Sequence, residues 1–227
     1  MKRPDFQKPS SMRYKMRRKR LQIFEAMARE KLESKSELEI LDVGGIAEYW
    51  NLLSPDLLPK LHFTLVNLTS WDGMADGGPE GFRFEARIGD ACSMPEFTDG
   101  QFDICHSNSV IEHVGNMQAM ARFAAETTRV SKSYYHQTPN LCFPIEPHYG
   151  VPFLHWLPAP TRARILNNRK VGYGEVTSTF EDTIQVVDHT ELLSAWLFQG
   201  LFKDATLQRE KVLFLTKSLI VTGGDVG

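Results

Sequence analysis

Short apolar runs that end in glycine or in a polar residue recur along the first 140 residues, and this alternation restricts the fold more than any other feature. Helix-like stretches, AEYWNLLSPDLL (47–58) and MQAMARFAAETTRV (117–130), lie between some of these runs. Strands that alternate with helices predict an α/β fold with a doubly wound, mostly parallel sheet. The strand-like runs are ELEILDVGG (37–45), LHFTLVNLT (61–69), a part of GFRFEARIGDA (81–91), FDICHSNSV (102–110) and SYYHQTPN (133–140).

The C-terminal part does not continue the alternation of strands and helices. DHTELLSAWLFQG (188–200) predicts a helix, and the apolar runs REKVLFL (209–215) and KSLIVTG (217–223) predict two strands with a short turn between them. A parallel connection needs about a dozen residues or more, so these two strands must pair as an antiparallel hairpin. We therefore predict a Rossmann-like sheet of seven strands with an antiparallel C-terminal strand.

The N-terminal segment is strongly basic. Residues 1–20 carry nine Lys or Arg and one acidic residue, whereas the rest of the chain has a net charge near −10. Residues 11–33 predict an amphipathic helix with Leu21, Phe24, Met27 and Ala28 on one face. A basic helix either contacts nucleic acid or an anionic surface, or lies on its own acidic domain, and the apolar face favours the second. We divide the chain into a basic N-terminal arm and helix (1–35) and one domain (36–227).

Residues 141–182 interrupt the alternation. The stretch LCFPIEPHYGVPFLHWLPAP is rich in proline, aromatic residues and histidine and shows no clear period. Long irregular segments within compact domains are commonly functional loops. We predict that 141–182 is a cap over an acceptor site, the alternative being a hydrophobic cover for the sheet edge. We call it the cap segment.

The number of cysteines and the length of the apolar runs indicate the cellular location. Cys92, Cys105 and Cys142 are odd in number and have no metal-ligand spacing, which favours free thiols in a reducing cytoplasm. No apolar run approaches the roughly 20 residues of a membrane span. We expect a cytoplasmic protein, with no metal site.

Polar residues and glycines stand where the first three strands are predicted to end. In doubly wound sheets, ligands bind outside these carboxyl ends. Gly44 and Gly45 allow the backbone to approach a ligand closely, and an amide at the second strand end suits a ribose. The set is Asp42, Gly44 and Gly45 after the first strand, Asn67 after the second, and Asp90 with Ala91 after the third.

The segments ILDVGG (40–45), FTLVNL (63–68) and RIGDACSMPEFTDGQFDICHSNSVIEHVG (87–115) resemble the class I S-adenosylmethionine (SAM)-dependent methyltransferases. The resemblance extends through the basic helix, residues 134–158 and LTKSLIV (215–221) to bacterial members of polysaccharide and secondary biosynthesis. It implies methyl transfer with SAM as cofactor.

The resemblance also implies roles for individual residues. Asp42, Gly44 and Gly45 would line the methionine and ribose of SAM. Asn67 would replace the usual acidic ribose ligand, Asp90 and Ala91 would hold the adenine, and Ser107 and Asn108 would lie beside the donor. The chain departs from the family pattern in two ways, because Ile46-Ala47-Glu48 replaces a third glycine and Asn67 carries no charge.

A hydroxyl acceptor must lose its proton, which suits a group that titrates near neutral pH, such as histidine. Candidate bases are His113 and His148, the latter with Glu146 as its carboxylate partner. His113 has the alternative of a structural role at a helix start. We favour O-methylation of a sugar or similar polyol.

Other functions remain open to different degrees. The alternatives are methylation of an amine or of a non-sugar natural product, and a non-catalytic relative with a closed SAM pocket. A nicotinamide enzyme is disfavoured because G-x-G-x-x-G is absent. Nucleic acid is disfavoured as a partner because the domain is acidic, although the basic arm allows a weak contact with an anionic surface.

Overall fold

The computed structural model describes residues 8–69, 76–145, 149–172 and 176–224. Its seven strands form one sheet in the order β3-β2-β1-β4-β5-β7-β6, in which β7 runs antiparallel to both of its neighbours. The predicted fold class is therefore confirmed, including the C-terminal hairpin. The strands are β1 Leu38–Val43, β2 Leu61–Asn67, β3 Arg83–Ile88, β4 Phe102–Asn108, β5 Ser131–Pro139, β6 Thr206–Val212 and β7 Leu215–Gly224.

Five α-helices are described, and three of them cover the two faces of the sheet. On one face, Leu21, Phe24 and Ala28 of the first helix are fully buried in a core with Trp50 and Tyr135. The other face carries the second and fifth helices. Because β1, β2 and β4 are covered on both sides, they are almost continuously buried, as central parallel strands are. The helices are α1 Met12–Lys31, α2 Met117–Arg129, α3 Ala159–Leu166, α4 Phe180–Asp188 and α5 Ala195–Leu201.

Local structure differs from the sequence prediction in two connections. The crossover after β1 is not an α-helix but two 3₁₀ turns, Ala47–Leu52 and Leu58–Lys60. Pro55 and Pro59 account for the break, since proline lacks an amide hydrogen and restricts the residue before it. The helix predicted from 188 begins only at Ala195, after Leu193 has formed a bridge with Asn140.

The cap segment contains more regular structure than its composition indicates. It holds α3 and the start of α4, which enclose a small core of Tyr149, Leu154, Leu166 and Val187. No helix within the described ranges is both long and apolar enough to cross a membrane.

Candidate functional site

Hydrogen bonds connect the ends of the first three strands. β1 pairs in parallel with β2, and β2 with β3, so their carboxyl ends lie along one edge of the sheet. The Gly44 amide donates to the Val66 carbonyl at 2.7 Å, and the Gly89 amide donates to the Asn67 carbonyl at 2.9 Å. Asn67 Nδ2 in turn donates to the Gly45 carbonyl at 2.9 Å. The structure thus brings the three predicted strand ends together.

The turn after β1, Gly44–Gly45, has no room for a side chain, and we call it the glycine turn. Gly44 has a φ of +70°, and a Cβ there would lie 2.5 Å from Cγ2 of Val110. A Cβ on Gly45 would lie 1.7 Å from Oδ2 of Asp42. Both glycines are therefore required sterically, and their backbone lies without side chains at the carboxyl edge of the sheet.

Beneath this turn lies a buried polar group formed by Asp42, Trp50 and His106, which we call the Asp42 cluster. Asp42 is 1% exposed. Its Oδ2 accepts a hydrogen bond from Trp50 Nε1 at 2.9 Å, and its Oδ1 lies 2.7 Å from His106 Nδ1. A carboxylate only accepts, so His106 carries its proton on Nδ1. The Asp42 carboxylate therefore supports the turn from below.

His106 and Trp50 are functional candidates that sequence reasoning missed. The His106 ring stacks on Tyr135, with centroids 5.2 Å apart and planes 7° from parallel, and Phe24 of α1 meets it edge-on at 5.6 Å. The available signal was a histidine inside the apolar strand FDICHSN. Buried polar groups require partners, and the register places His106 opposite Asp42.

The loop after β3 presents a carboxylate at the same edge. Asp90 is exposed, and its Oδ1 accepts a hydrogen bond from the Cys92 amide at 2.8 Å, which fixes the turn. Ala91 is half-buried against the core. Burial, and secondarily Asp90, raise the pKa of the Cys92 thiol to about 11. At the end of β2, Leu68 is 68% exposed, which leaves an apolar surface on this side of the edge.

Ser107 and Asn108 end β4, where Ser107 lies in register with Val43 before the glycine turn. The Ser107 side chain is fully buried, with its Oγ 2.9 Å from Nδ1 of His136, whereas Asn108 is half-buried. Burial, and secondarily His106, lower the pKa of His136 to about 3, so this imidazole is neutral. The Ser107 hydroxyl thus faces the protein interior.

His113 ends the 3₁₀ turn Ile111–His113 that follows β4. Its amide donates to the carbonyl of Val110, the residue in contact with Gly44. Its Nδ1 donates to the carbonyl of His189 at 3.1 Å and lies 3.4 Å from the Thr190 hydroxyl. The preceding Glu112 is fully buried and accepts a hydrogen bond from the Thr138 hydroxyl at 2.9 Å. Glu146 and His148 lie outside the described residues.

The cap segment places an aromatic pair beyond the end of β5. Trp156 Nε1 donates to the Leu141 carbonyl at 2.7 Å, and His155 Nε2 lies 3.0 Å from the same oxygen. The rings of Phe153 and Trp156 lie 5.0 Å apart, and the two residues are 53% and 49% exposed. No group of three potential metal ligands occurs in the part of the chain that the structure describes.

Comparison with known proteins gives one family-model match, since residues 54–134 match the model described as a methyltransferase domain. Two uncharacterised proteins from strains of Mycobacterium tuberculosis are 32% identical over 62 residues, which is 27% of this chain and 21% of theirs. The match thus spans about a fifth of the length of these curated relatives.

Solved structures are similar over nearly the whole chain. The PH0226 protein from Pyrococcus horikoshii has a TM-score of 0.57 and 17% identity, with 97% of this chain and 95% of that chain covered. A SAM-dependent methyltransferase from Methanosarcina mazei has a TM-score of 0.51 and 16% identity, with 83% and 92% covered. The domain match confirms the predicted resemblance to methyltransferases, and the solved structures share the fold, whereas the polysaccharide-biosynthesis subgroup stays a prediction.

Proposed function

We propose that this chain, which has the fold of the class I SAM-dependent methyltransferases, transfers a methyl group from SAM to a hydroxyl of a small polar acceptor. The main support is the hydrogen-bonded junction of the glycine turn, Asn67 and Gly89 at the carboxyl edge of the sheet. This is the place where doubly wound sheets bind ligands.

The residues at this edge fit SAM. Because Val110 and Asp42 occupy the positions that a Cβ would need, the glycine turn presents bare backbone, along which the methionine and ribose would lie. Asn67 would take the ribose, and exposed Asp90 with Ala91 the adenine amino group, next to the apolar surface of Leu68. Half-buried Asn108 would lie beside the donor, whereas the buried Ser107 would support this strand end through its contact with His136. Asp42 would act from below, because its carboxylate is already engaged by Trp50 and His106.

SAM supplies a methyl carbon that the positive sulfur already activates. The task of the protein is then to align donor and acceptor and to exclude water, and proximity of this kind contributes several kcal/mol. No described residue need form a covalent bond to the methyl group. The remaining step is removal of the proton from the acceptor hydroxyl.

His113 is the candidate base among the described residues. Its Nδ1 donates to the His189 carbonyl, which orients the imidazole ring. It stands one 3₁₀ turn beyond Val110, which contacts the glycine turn. His148, assisted by Glu146, is the second candidate and would act from the cap segment.

Saccharide is the acceptor class we favour. The half-exposed pair Phe153 and Trp156 offers aromatic faces of the kind that stack on sugar rings, and the sequence resembles methyltransferases of polysaccharide biosynthesis. Three free thiols support a cytoplasmic location. An amine or a non-sugar natural product is the alternative acceptor.

Calorimetry with SAM and with its demethylated product tests the cofactor site. Asp90→Ala should weaken binding by about 1.5–3 kcal/mol, the range for a hydrogen bond to a charged group. Asp99→Ala is the matched control, since Asp99 pairs with Arg129 and its side chain is 82% exposed. Folded wild-type protein without SAM affinity would contradict the proposal and favour a non-catalytic relative.

Kinetics of His113→Gln and His148→Gln separate the two candidate bases. Loss of the base should lower kcat by about 10²-fold or more with SAM affinity unchanged, and the loss should shrink at high pH. A variant that raises KM but keeps kcat only positions the acceptor. Carbon-13 NMR of the product formed from methyl-labelled SAM distinguishes an O-methyl from an N-methyl group, and an N-methyl product would refute the hydroxyl acceptor.

A further inference from the structure

The turn between β6 and β7 exposes large apolar side chains. It consists of Leu213 and Phe214, because Val212 pairs directly with Leu215. Leu213 is 89% exposed, Phe214 82% and Leu215 38%. We call these three residues the hairpin tip.

Local folding does not explain this composition. Leu213 has a φ of 55°, a left-handed conformation that glycine and asparagine adopt far more readily than leucine. Two-residue hairpin turns in which only the first residue is left-handed favour glycine at that position for this reason. A strained leucine followed by an exposed phenylalanine is therefore unfavourable for the isolated chain, which indicates a contact made with something outside it.

The first helix lies along the β6–β7 hairpin that carries the tip. Arg20 Nη1 lies 3.4 Å from Ser218 Oγ and 3.7 Å from Glu210, and Met16 Sδ lies 3.4 Å from Lys217 Nζ. From residue 20 to residue 16 the helix therefore runs along β7 toward the tip. Between Met12 and Phe24 the helix has six basic residues and no acidic one.

Several of these charges face solvent. Lys15 and Lys19 on α1 are exposed, as is Lys211 two residues before the tip. Met12, at the start of the same helix, is 72% exposed. A projecting apolar turn thus stands next to a strip of positive charge.

We propose that the hairpin tip and the N-terminal half of α1 dock this protein on an anionic lipid surface. Leu213 and Phe214 would enter the boundary between headgroups and acyl chains, while the lysines contact lipid phosphates. Amphipathic membrane contacts combine apolar burial with basic charge in this way. Two or three projecting side chains are far too few for a stable protein interface, which buries about 800 Å² on each partner.

Docking in this orientation would bring the candidate site to the membrane. β7 is antiparallel to both β5 and β6, so β6 runs in the direction of the parallel strands and ends at their carboxyl edge. The hairpin tip and the glycine turn therefore lie on the same edge of the sheet. The proposal does not depend on methyl transfer, although it would give the enzyme access to acceptors held at a bilayer.

Co-sedimentation of the full chain with vesicles tests the proposal. Wild type should bind vesicles of phosphatidylcholine with added phosphatidylserine and bind vesicles of phosphatidylcholine alone at least tenfold more weakly. The double variant Leu213→Gly, Phe214→Asn places glycine at the left-handed position, so it should fold, yet it should bind about tenfold more weakly or worse. Lys15→Gln with Lys19→Gln should weaken binding to the anionic vesicles only.

Matched controls separate the tip from general surface effects. Met117→Gln removes an apolar residue that is 58% exposed on α2, and Lys60→Gln removes an exposed charge at the opposite edge, where β2 begins. Both should bind vesicles as wild type does. SAM calorimetry on every variant reports the fold independently.

Four results would overturn the proposal. The first two are wild type that binds neither vesicle and a turn variant that binds as tightly as wild type. The third is a dimer in sedimentation equilibrium that the turn variant abolishes, which would assign the tip to a second copy of this chain. Salt-sensitive RNA binding without vesicle binding would assign the basic strip to nucleic acid.

Discussion

Replacement of Gly45 by alanine tests whether the Asp42 cluster supports the glycine turn. The added Cβ would lie 1.7 Å from Oδ2 and 2.1 Å from Cγ of Asp42, far inside contact distance. Because this glycine is not in the left-handed region, backbone strain does not contribute and the collision alone decides the effect. The carboxylate must move, and with it the hydrogen bonds to Trp50 and His106.

The expected cost follows from those two bonds. Hydrogen bonds to charged groups contribute about 1.5–3 kcal/mol each, so loss of both would destabilise the protein by about 3–6 kcal/mol. Rearrangement of the turn recovers part of this energy, and we expect about 3 kcal/mol or more. Since the turn carries the proposed SAM site, SAM affinity should fall in the same variant.

Urea unfolding and SAM calorimetry measure the two effects. Gly200→Ala is the matched control, because a Cβ there meets nothing within 4 Å and the residue lies in α5, where alanine is the better helix former. A double-mutant cycle isolates the cause. In an Asp42→Ala background the carboxylate is gone, so Gly45→Ala should cost about 1 kcal/mol or less. An equal cost in both backgrounds, or no cost in wild type, would refute the steric argument.

Two further predictions concern pH. Burial holds the pKa of His136 near 3 in the folded protein, below its ordinary value of 6.5, so only the unfolded chain takes up this proton as the pH falls from about 6.5. The free energy of unfolding should then fall by up to about 1.4 kcal/mol per pH unit. His136→Gln should flatten this slope in urea melts at pH 5–7. Burial opposes ionisation of Asp103, but hydrogen bonds from Lys35, the Glu39 amide and Lys132 lower its pKa overall. The ionised Asp103 therefore stabilises the fold above the ordinary carboxyl pKa, and this stabilisation is lost as the pH falls through the lowered pKa of the folded protein. Asp103→Asn should cost about 1–3 kcal/mol at pH 7 and much less near pH 3 in the same assay.

The strand ends were predictable because strand period and strand termination are local properties. ILDVGG, FTLVNL and RIGDA each end within three residues of the point where the strand ends. Parallel pairing then brings those ends to one edge without further information. The bond from Asn67 to the Gly45 carbonyl is a consequence of that geometry.

The orientation of the Asp42 side chain was not predictable in the same way. It depends on His106, which is 64 residues away and becomes its neighbour only when β1 and β4 pair in register. The start of α5 has a similar cause. Ser194 accepts a hydrogen bond from the Leu197 amide and begins the helix there, while Leu193 is held by pairing with Asn140. Both features are set by tertiary contacts rather than by propensity.

The side chains of β4 alternate between the two faces of the sheet, which explains how the carboxyl edge is supported from both faces. Successive residues of a strand face opposite sides of the sheet. His106 accordingly meets Asp42 under α1, and Ser107 meets His136 in the core beneath α2 and α5. Each polar side chain is buried, so each needs its partner to avoid the cost of an unsatisfied group.

It follows that α1 belongs to the structural support of the site even though it precedes the domain in sequence. Phe24 covers His106 and lies 5.2 Å from the Trp50 ring, so the helix excludes water from the Asp42 cluster. In a low-dielectric setting the carboxylate interactions are stronger than they would be in water. Removal of α1 would hydrate the cluster and weaken the support of the glycine turn.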